Sequence, residues 1–213
     1  MLVRSLRVSR KKKMLLNLPC WEQLLPAHFY REVLLMSRLV GVVGSRSLPA
    51  SFSPLVSSLV SFFLARGFRV ASGGAVGADS FALSALLQQG AASSGVVFSA
   101  WQSASGFPAL VRPQVSQFLS SGGQVVWGSA SPCASRQQAV SALLGRNQRL
   151  VSACSVLVAF LFGPSRGSLF TVRQAVQRGV PVLVFLCGGG ASLPADLASR
   201  CFIFQGEEVI KSW

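Results

Sequence analysis

The stretch Leu39-Val40-Gly41-Val42-Val43-Gly44-Ser45-Arg46 decides the fold. An apolar run of strand length that stops at a Gly-Ser turn is the form of a strand buried on both faces. Working outward, the two hydrophobic periods alternate. Pro54 opens a helix-like stretch over residues 54–66, with Leu55, Leu59, Phe62 and Phe63 on one face and Gly67 closing it. Strands are then expected at 68–71, 95–100, 124–127, 155–162 and 180–186, with a last edge strand at 201–204. Helices are expected at 78–89, 109–119, 137–151 and 168–178, several of them stopped by glycine. This alternation predicts an α/β protein with a doubly wound, mostly parallel sheet and helices on both faces. Neither an internal repeat nor a low-complexity linker interrupts it. The expected organisation is a basic extension over residues 1–35 and one domain over 36–213.

Composition narrows the class. The chain has 213 residues, 51% hydrophobic, with a mean hydropathy of +0.52. Collagen, a disulfide mini-protein and a disordered tail are excluded. The most apolar runs, 155–163 and 180–187, are 9 and 8 residues long. A bilayer needs about 20, so no membrane partner is expected. Cysteines 20, 133, 154, 187 and 201 are odd in number and contain no C-x-x-C pair. They read as small buried hydrophobes in a reducing compartment, and a cytoplasmic location is expected. His28 is the single histidine, too solitary for a zinc site or a His-based triad, so neither a metal nor a cofactor is expected. Residues 14–19 are too short an apolar core for a secretory signal. An arginine-rich start also has the form of an organelle transit peptide, or of a start codon placed upstream of Met36.

Charge points to an anionic partner. Residues 4–13 hold six basic side chains and no acid, out of a formal net charge of +14. Between Leu39 and Cys187 ten arginines face one carboxylate, Asp79, a net of 10 − 1 = +9. Little within that span can neutralise them internally. A genome whose base composition favours arginine would leave the same excess, and a basic arm is also a common form of solvated tail.

Four loops carry the unusual residues, and in open parallel sheets ligands bind where such loops collect beyond the strand ends. Gly44, Ser45 and Arg46 follow the first strand, offering a close turn, a hydroxyl and a planar cation suited to phosphate. Neither a Walker A lysine nor G-x-G-x-x-G accompanies them. The second loop, Ser72-Gly73-Gly74-Ala75-Val76-Gly77-Ala78-Asp79, leads into a helix whose free N–H groups favour an anion. Asp79 there either stabilises its own helix dipole or accepts from a ribose or base edge; no second carboxylate accompanies it for hydrolysis. Third, Gly145-Arg146-Asn147-Gln148-Arg149 puts two arginines on one helical face, which alone reads as a solvated basic face. Fourth, in Phe162-Gly163-Pro164-Ser165-Arg166-Gly167-Ser168-Leu169, Gly167 and Ser168 repeat the anion-binding helix start, with Ser168 as N-cap.

In order and spacing these four motifs resemble the Rossmann-like core of the DNA-processing protein A (DprA/Smf) family, within the SLOG superfamily. The resemblance runs from Leu39 to Cys187. It implies binding of single-stranded DNA, a homodimer and a recombinase partner, in DNA processing or recombination. The implied binding positions are Gly44, Ser45, Arg46, Gly73, Gly74, Ala75, Gly77, Asp79, Arg146, Asn147, Gly167 and Ser168. Val76 stands where that family usually has an arginine, and no winged-helix pattern is expected after Trp213. The alternative within the superfamily is a binder, sensor or hydrolase of a small nucleotide derivative. A scaffold that kept the fold and lost its ligand is the third reading. The stretch from Gly163 to Thr171 lacks the catalytic glutamate of the superfamily's phosphoribohydrolases, so that hydrolysis is not expected. Trp101, Phe107 and Trp127 are candidate base-stacking platforms, or core and dimer contacts.

Overall fold

A computed structural model describes residues 38–211. Seven strands form one sheet: β1 (Leu39–Gly44), β2 (Arg69–Ser72), β3 (Gly95–Phe98), β4 (Gln124–Val126), β5 (Val156–Leu161), β6 (Val182–Leu186) and β7 (Phe202–Gln205). Their order is β4-β3-β2-β1-β5-β6-β7, and every neighbouring pair is parallel. The helices are α1 (Ser53–Ala65), α2 (Ala78–Gln88), α3 (Arg112–Ser120), α4 (Arg136–Ala153), α5 (Arg166–Gln177), α6 (Ala195–Ala198) and α7 (Gly206–Lys211). The expected α/β doubly wound architecture is the observed one, with the sheet wholly parallel.

Period-two alternation sorts the core into two layers. Along β5, Val156, Val158 and Phe160 join the layer beneath α1, α2 and α3, while Leu157, Ala159 and Leu161 join the layer beneath α4 and α5. All six are buried, which is why this strand reads as a continuous apolar run. Phe160, Phe185 and Phe204 lie in register across β5, β6 and β7, and their rings stack with centroids 5.1 and 4.9 Å apart. On the other face Gly41 makes room for α4: a Cβ there would stand 2.8 Å from both Leu150 Cδ2 and Cys154 Sγ.

Several boundaries moved, each for a local reason. The helix expected at 168–178 begins at Arg166, and Ser165 precedes it; Ser168 is therefore in its first turn and not its N-cap. Helix α4 starts one residue earlier than expected because Ser135 and Gln138 form a capping box. The short helices α6 and α7 carry too few residues to show a period and were not anticipated. Cys154 and Cys187 are buried, but Cys133 is exposed, contrary to the reading of all five as core residues. Cys20, His28 and the basic run at 4–13 lie outside the described residues. No helix among the described residues is long and apolar enough to cross a membrane.

Candidate functional site

Strand order reverses between β1 and β5: from β1 the chain steps outward through β2, β3 and β4, then returns through α4 to β5 on the other side. The loops leaving β1 and β5 therefore diverge and leave a crevice, the usual ligand position in such sheets. A cleft of about 410 Å3 lies there. Its walls come from the β1 loop (Gly44, Ser45, Arg46, Ser47), the glycine loop and α2 (Ala75, Asp79), α4, and the start of α5.

The glycine loop is shaped by contacts that tolerate no side chain. At Gly77, φ is +81°, and a Cβ would collide with the carbonyl of Ser45. At Gly74, φ is +67°, and a Cβ would stand 2.5 Å from the ring of Phe107, which supports the loop from below. Asp79, in the first turn of α2, reaches back so that Oδ2 accepts from the N–H groups of Gly73 (3.0 Å) and Ala75 (3.3 Å). The same oxygen lies 3.6 Å from Nη1 of Arg146, and both side chains are only 6% exposed. Asp79 thus ties the loop to α4.

Arg146 is not part of a solvated basic face, as its sequence context suggested. Its guanidinium lies over Gly73 in the cleft wall, in the space a side chain at 73 would fill. Arg149 turns elsewhere, donating from Nη2 to the carbonyl of Ser99 at 2.6 Å. Burial pushes the Asp79 carboxyl above its ordinary value, against the pull of Arg146, the two backbone N–H groups and Arg46. Burial likewise lowers Arg146, which Asp79 opposes and Arg46 and Arg149 reinforce. Nε and Nη1 of Arg146 are buried without a hydrogen-bond acceptor, a costly arrangement in a native interior.

The other expected residues divide between scaffold and surface. Ser45 donates from Oγ to the carbonyl of Phe162 and accepts from its N–H, each at 2.8 Å, and so fastens the β1 loop to the end of β5. Gly44 allows this approach, since a Cβ there would collide with the carbonyl of Phe160. Asn147 donates to Thr171 Oγ1 at 2.7 Å, and Thr171 donates on to the carbonyl of Gly167 at 2.9 Å, which fixes the first turn of α5 against α4. Arg46 is exposed at the cleft and has neither an ion pair nor a hydrogen bond among the described residues. Gly167 and Ser168 sit at the start of α5, and the hydroxyl of Ser168 meets that of Ser165 at 2.8 Å. Gly73, Gly74 and Gly77 are buried and shape the loop, while Ala75 reaches the cleft surface.

The structure adds residues that the motif reading passed over. Arg166 lines the cleft from the first turn of α5, a place where natural helices prefer an acid. Val140, Leu143 and Leu144 line it from α4, where with the expected Asn147 they fall at the i, i+3, i+4, i+7 spacing of one helical face. That spacing was the available signal. Of the candidate stacking residues, Phe107 is 2% exposed and Trp101 lies beneath Gly106, leaving Trp127 at 38%. Among the described residues no three His, Cys, Asp or Glu side chains gather as a metal site would require.

Among curated proteins none matches the chain. Among solved structures, DNA processing protein A from Helicobacter pylori, described for its single-stranded DNA binding mode, aligns with a TM-score of 0.63 at 16% identity over 84% of this chain and 81% of that one. DNA processing protein A from Streptococcus pneumoniae aligns at 0.58 and 19% identity over 84% of this chain and 62% of that one. A molybdenum cofactor binding protein from Rippkaea orientalis aligns at 0.55 and 18% identity, over 84% and 98% of the two chains. At such identities the likeness shows the fold. The sequence goes further, because residues 29–202 match the family described as DNA recombination-mediator protein A. With most of its length inside that match, the chain belongs to the DNA recombination-mediator protein A family.

Proposed function

We propose that the chain binds single-stranded DNA in DNA processing or recombination, with the cleft between β1 and β5 holding strand phosphate. The observation that carries this reading is Arg146: a guanidinium built into the cleft wall whose Nε has no acceptor and whose Nη1 has only the 3.6 Å ion pair with Asp79 and no hydrogen bond. Around it stand Arg46, Arg166 and the N-terminal end of α5, against one carboxylate. Family membership and the single-stranded DNA bound by the Helicobacter pylori relative support the same reading. The twelve positions expected from sequence then fall into two roles. Arg46, Ala75, Gly167 and Ser168 offer the ligand surface, with Arg146 behind them. Gly44, Ser45, Gly73, Gly74, Gly77, Asp79 and Asn147 hold that surface in shape.

With this reading go a homodimer, a recombinase partner, a cytoplasmic location and no catalytic step, in a domain spanning residues 36–213 behind a basic extension at 1–35. Fluorescence anisotropy of a labelled oligonucleotide against salt tests it. Affinity falls steeply as salt rises, and Arg46→Ala and Arg166→Ala each shallow the log–log slope by about one. Binding that ignores salt, or no binding to any oligonucleotide, defeats it. The cleft volume of about 410 Å3 favours a second reading, a free nucleotide derivative, since that is small-ligand size. Thermal stabilisation by nucleotides without oligonucleotide binding is its signature.

A further inference from the structure

Resting on the reading of this cleft as a nucleic-acid phosphate site, we propose that it recognises a nucleoside phosphomonoester, at a strand end or as a free nucleotide, in preference to internal phosphodiesters. The shape supports one unit and not a run. A volume of about 410 Å3 is at the low end for ligand pockets, and α4 and the β5 loop border it. The charge matches a dianion. Arg46, Arg146 and Arg166 against Asp79 leave 3 − 1 = +2 in the walls. A phosphomonoester carries about −1.5 to −2 at pH 7, whereas a phosphodiester unit within a strand carries one charge.

Two further features place the phosphate at the start of α5. This helix runs for twelve residues, and no side chain caps its N-terminal N–H groups. The Arg146 side chain is 6% exposed, its Nε has no acceptor, and its Nη1 has the Asp79 ion pair at 3.6 Å but no hydrogen bond. Gly167 is the more specific sign. Its φ is not positive, and a Cβ there would meet no atom within 4 Å; Gly145 in α4 shares both properties, but Gly167 lines the cleft and Gly145 does not. Alanine is the better helix former, and a ligand seated directly on the α5 backbone would account for its absence. The apolar face of α4, where Val140 is 51% exposed, lies across the cleft and suits the nucleoside.

The test compares one oligonucleotide sequence with a 5′-phosphate, a 3′-phosphate or hydroxyls at both ends, and adds nucleoside 5′-monophosphates as competitors. A phosphorylated end is expected to bind at least tenfold tighter than the hydroxyl-ended strand, with the preference shrinking below pH 6 as the dianion protonates. Which end is preferred, or displacement by the free nucleotide alone, identifies the source. Gly167→Ala is expected to raise the melting temperature of the free protein while removing the preference; a loss of both would instead mark Gly167 as structural and overturn the assignment to α5. Equal affinity for all ends with no competition overturns the proposal but leaves strand binding standing. Competition by monophosphates with no binding to any strand supports the phosphomonoester site and removes the strand reading. Absence of binding to either removes both.

Discussion

The guanidinium of Arg146, carried by α4, occupies the space in which a side chain at Gly73 would begin. Two segments 73 residues apart in sequence are therefore mutually exclusive in volume, and Asp79 holds them together by accepting from the Gly73 N–H while facing Arg146. Gly73 is a glycine because of this overlap, not because of its backbone angles.

Gly73→Ala displaces the Arg146 guanidinium from its carboxylate and leaves a buried charge without its partner. The expected cost is about 3–5 kcal/mol, the range for breaking a buried pair from one side. Urea unfolding measures it; a change under 1 kcal/mol would show that the guanidinium relocates freely.

Removing either charge alone from the Asp79–Arg146 pair has a comparable cost, and removing both has less. Asp79→Asn and Arg146→Met are each expected to destabilise by about 3 kcal/mol or more, while the double variant recovers much of the loss because no unpaired charge remains. A double-mutant cycle checks this, and strict additivity would mean that the 3.6 Å pair carries no coupling.

Ser45→Ala separates scaffold from ligand contact. The hydroxyl is committed in both directions to the Phe162 backbone, so its loss strands a half-buried N–H and is expected to cost about 1 kcal/mol or more. If Ser45 acts through the fold alone, the salt slope of oligonucleotide binding stays that of the parent protein. A shallower slope would make the hydroxyl a phosphate contact.

Burial pushes the thiols of Cys154 and Cys187 up to about 12 from an ordinary 9.0, with Glu207 adding to the rise at Cys187. The folded state therefore keeps protons that the unfolded chain releases between pH 9 and 12. Stability is fully present below pH 9 and falls as pH rises, by about 3 kcal/mol per thiol at pH 11. Urea titrations at pH 8 and 11 measure the fall, and Cys154→Val should reduce it. A fall unaltered by that substitution would assign it to other groups.

The strands and most helices were legible in the sequence because their signal is local: a buried strand is a short continuous apolar run, and Gly67 or Gly179 stops a helix wherever it occurs. The position of the cleft was legible too, since alternating strands and helices force the loops onto one edge. Which residue does what within it was not. Helical spacing put Arg146 and Arg149 on one face, the motif resemblance singled out Arg146, and packing made that one a buried partner of Asp79 and the other a brace for Ser99. Ser45 and Asn147 have the chemistry of ligands, and the approach of β5 and α5 gives their side chains hydrogen bonds to Phe162 and Thr171 that the sequence did not foretell. The physical reason is the same in each case. Local order is set by neighbours along the chain, whereas burial, ion pairing and hydrogen-bond satisfaction depend on segments distant in sequence, 24 residues apart for Asn147 and Thr171, 50 for Arg149 and Ser99 and 117 for Ser45 and Phe162.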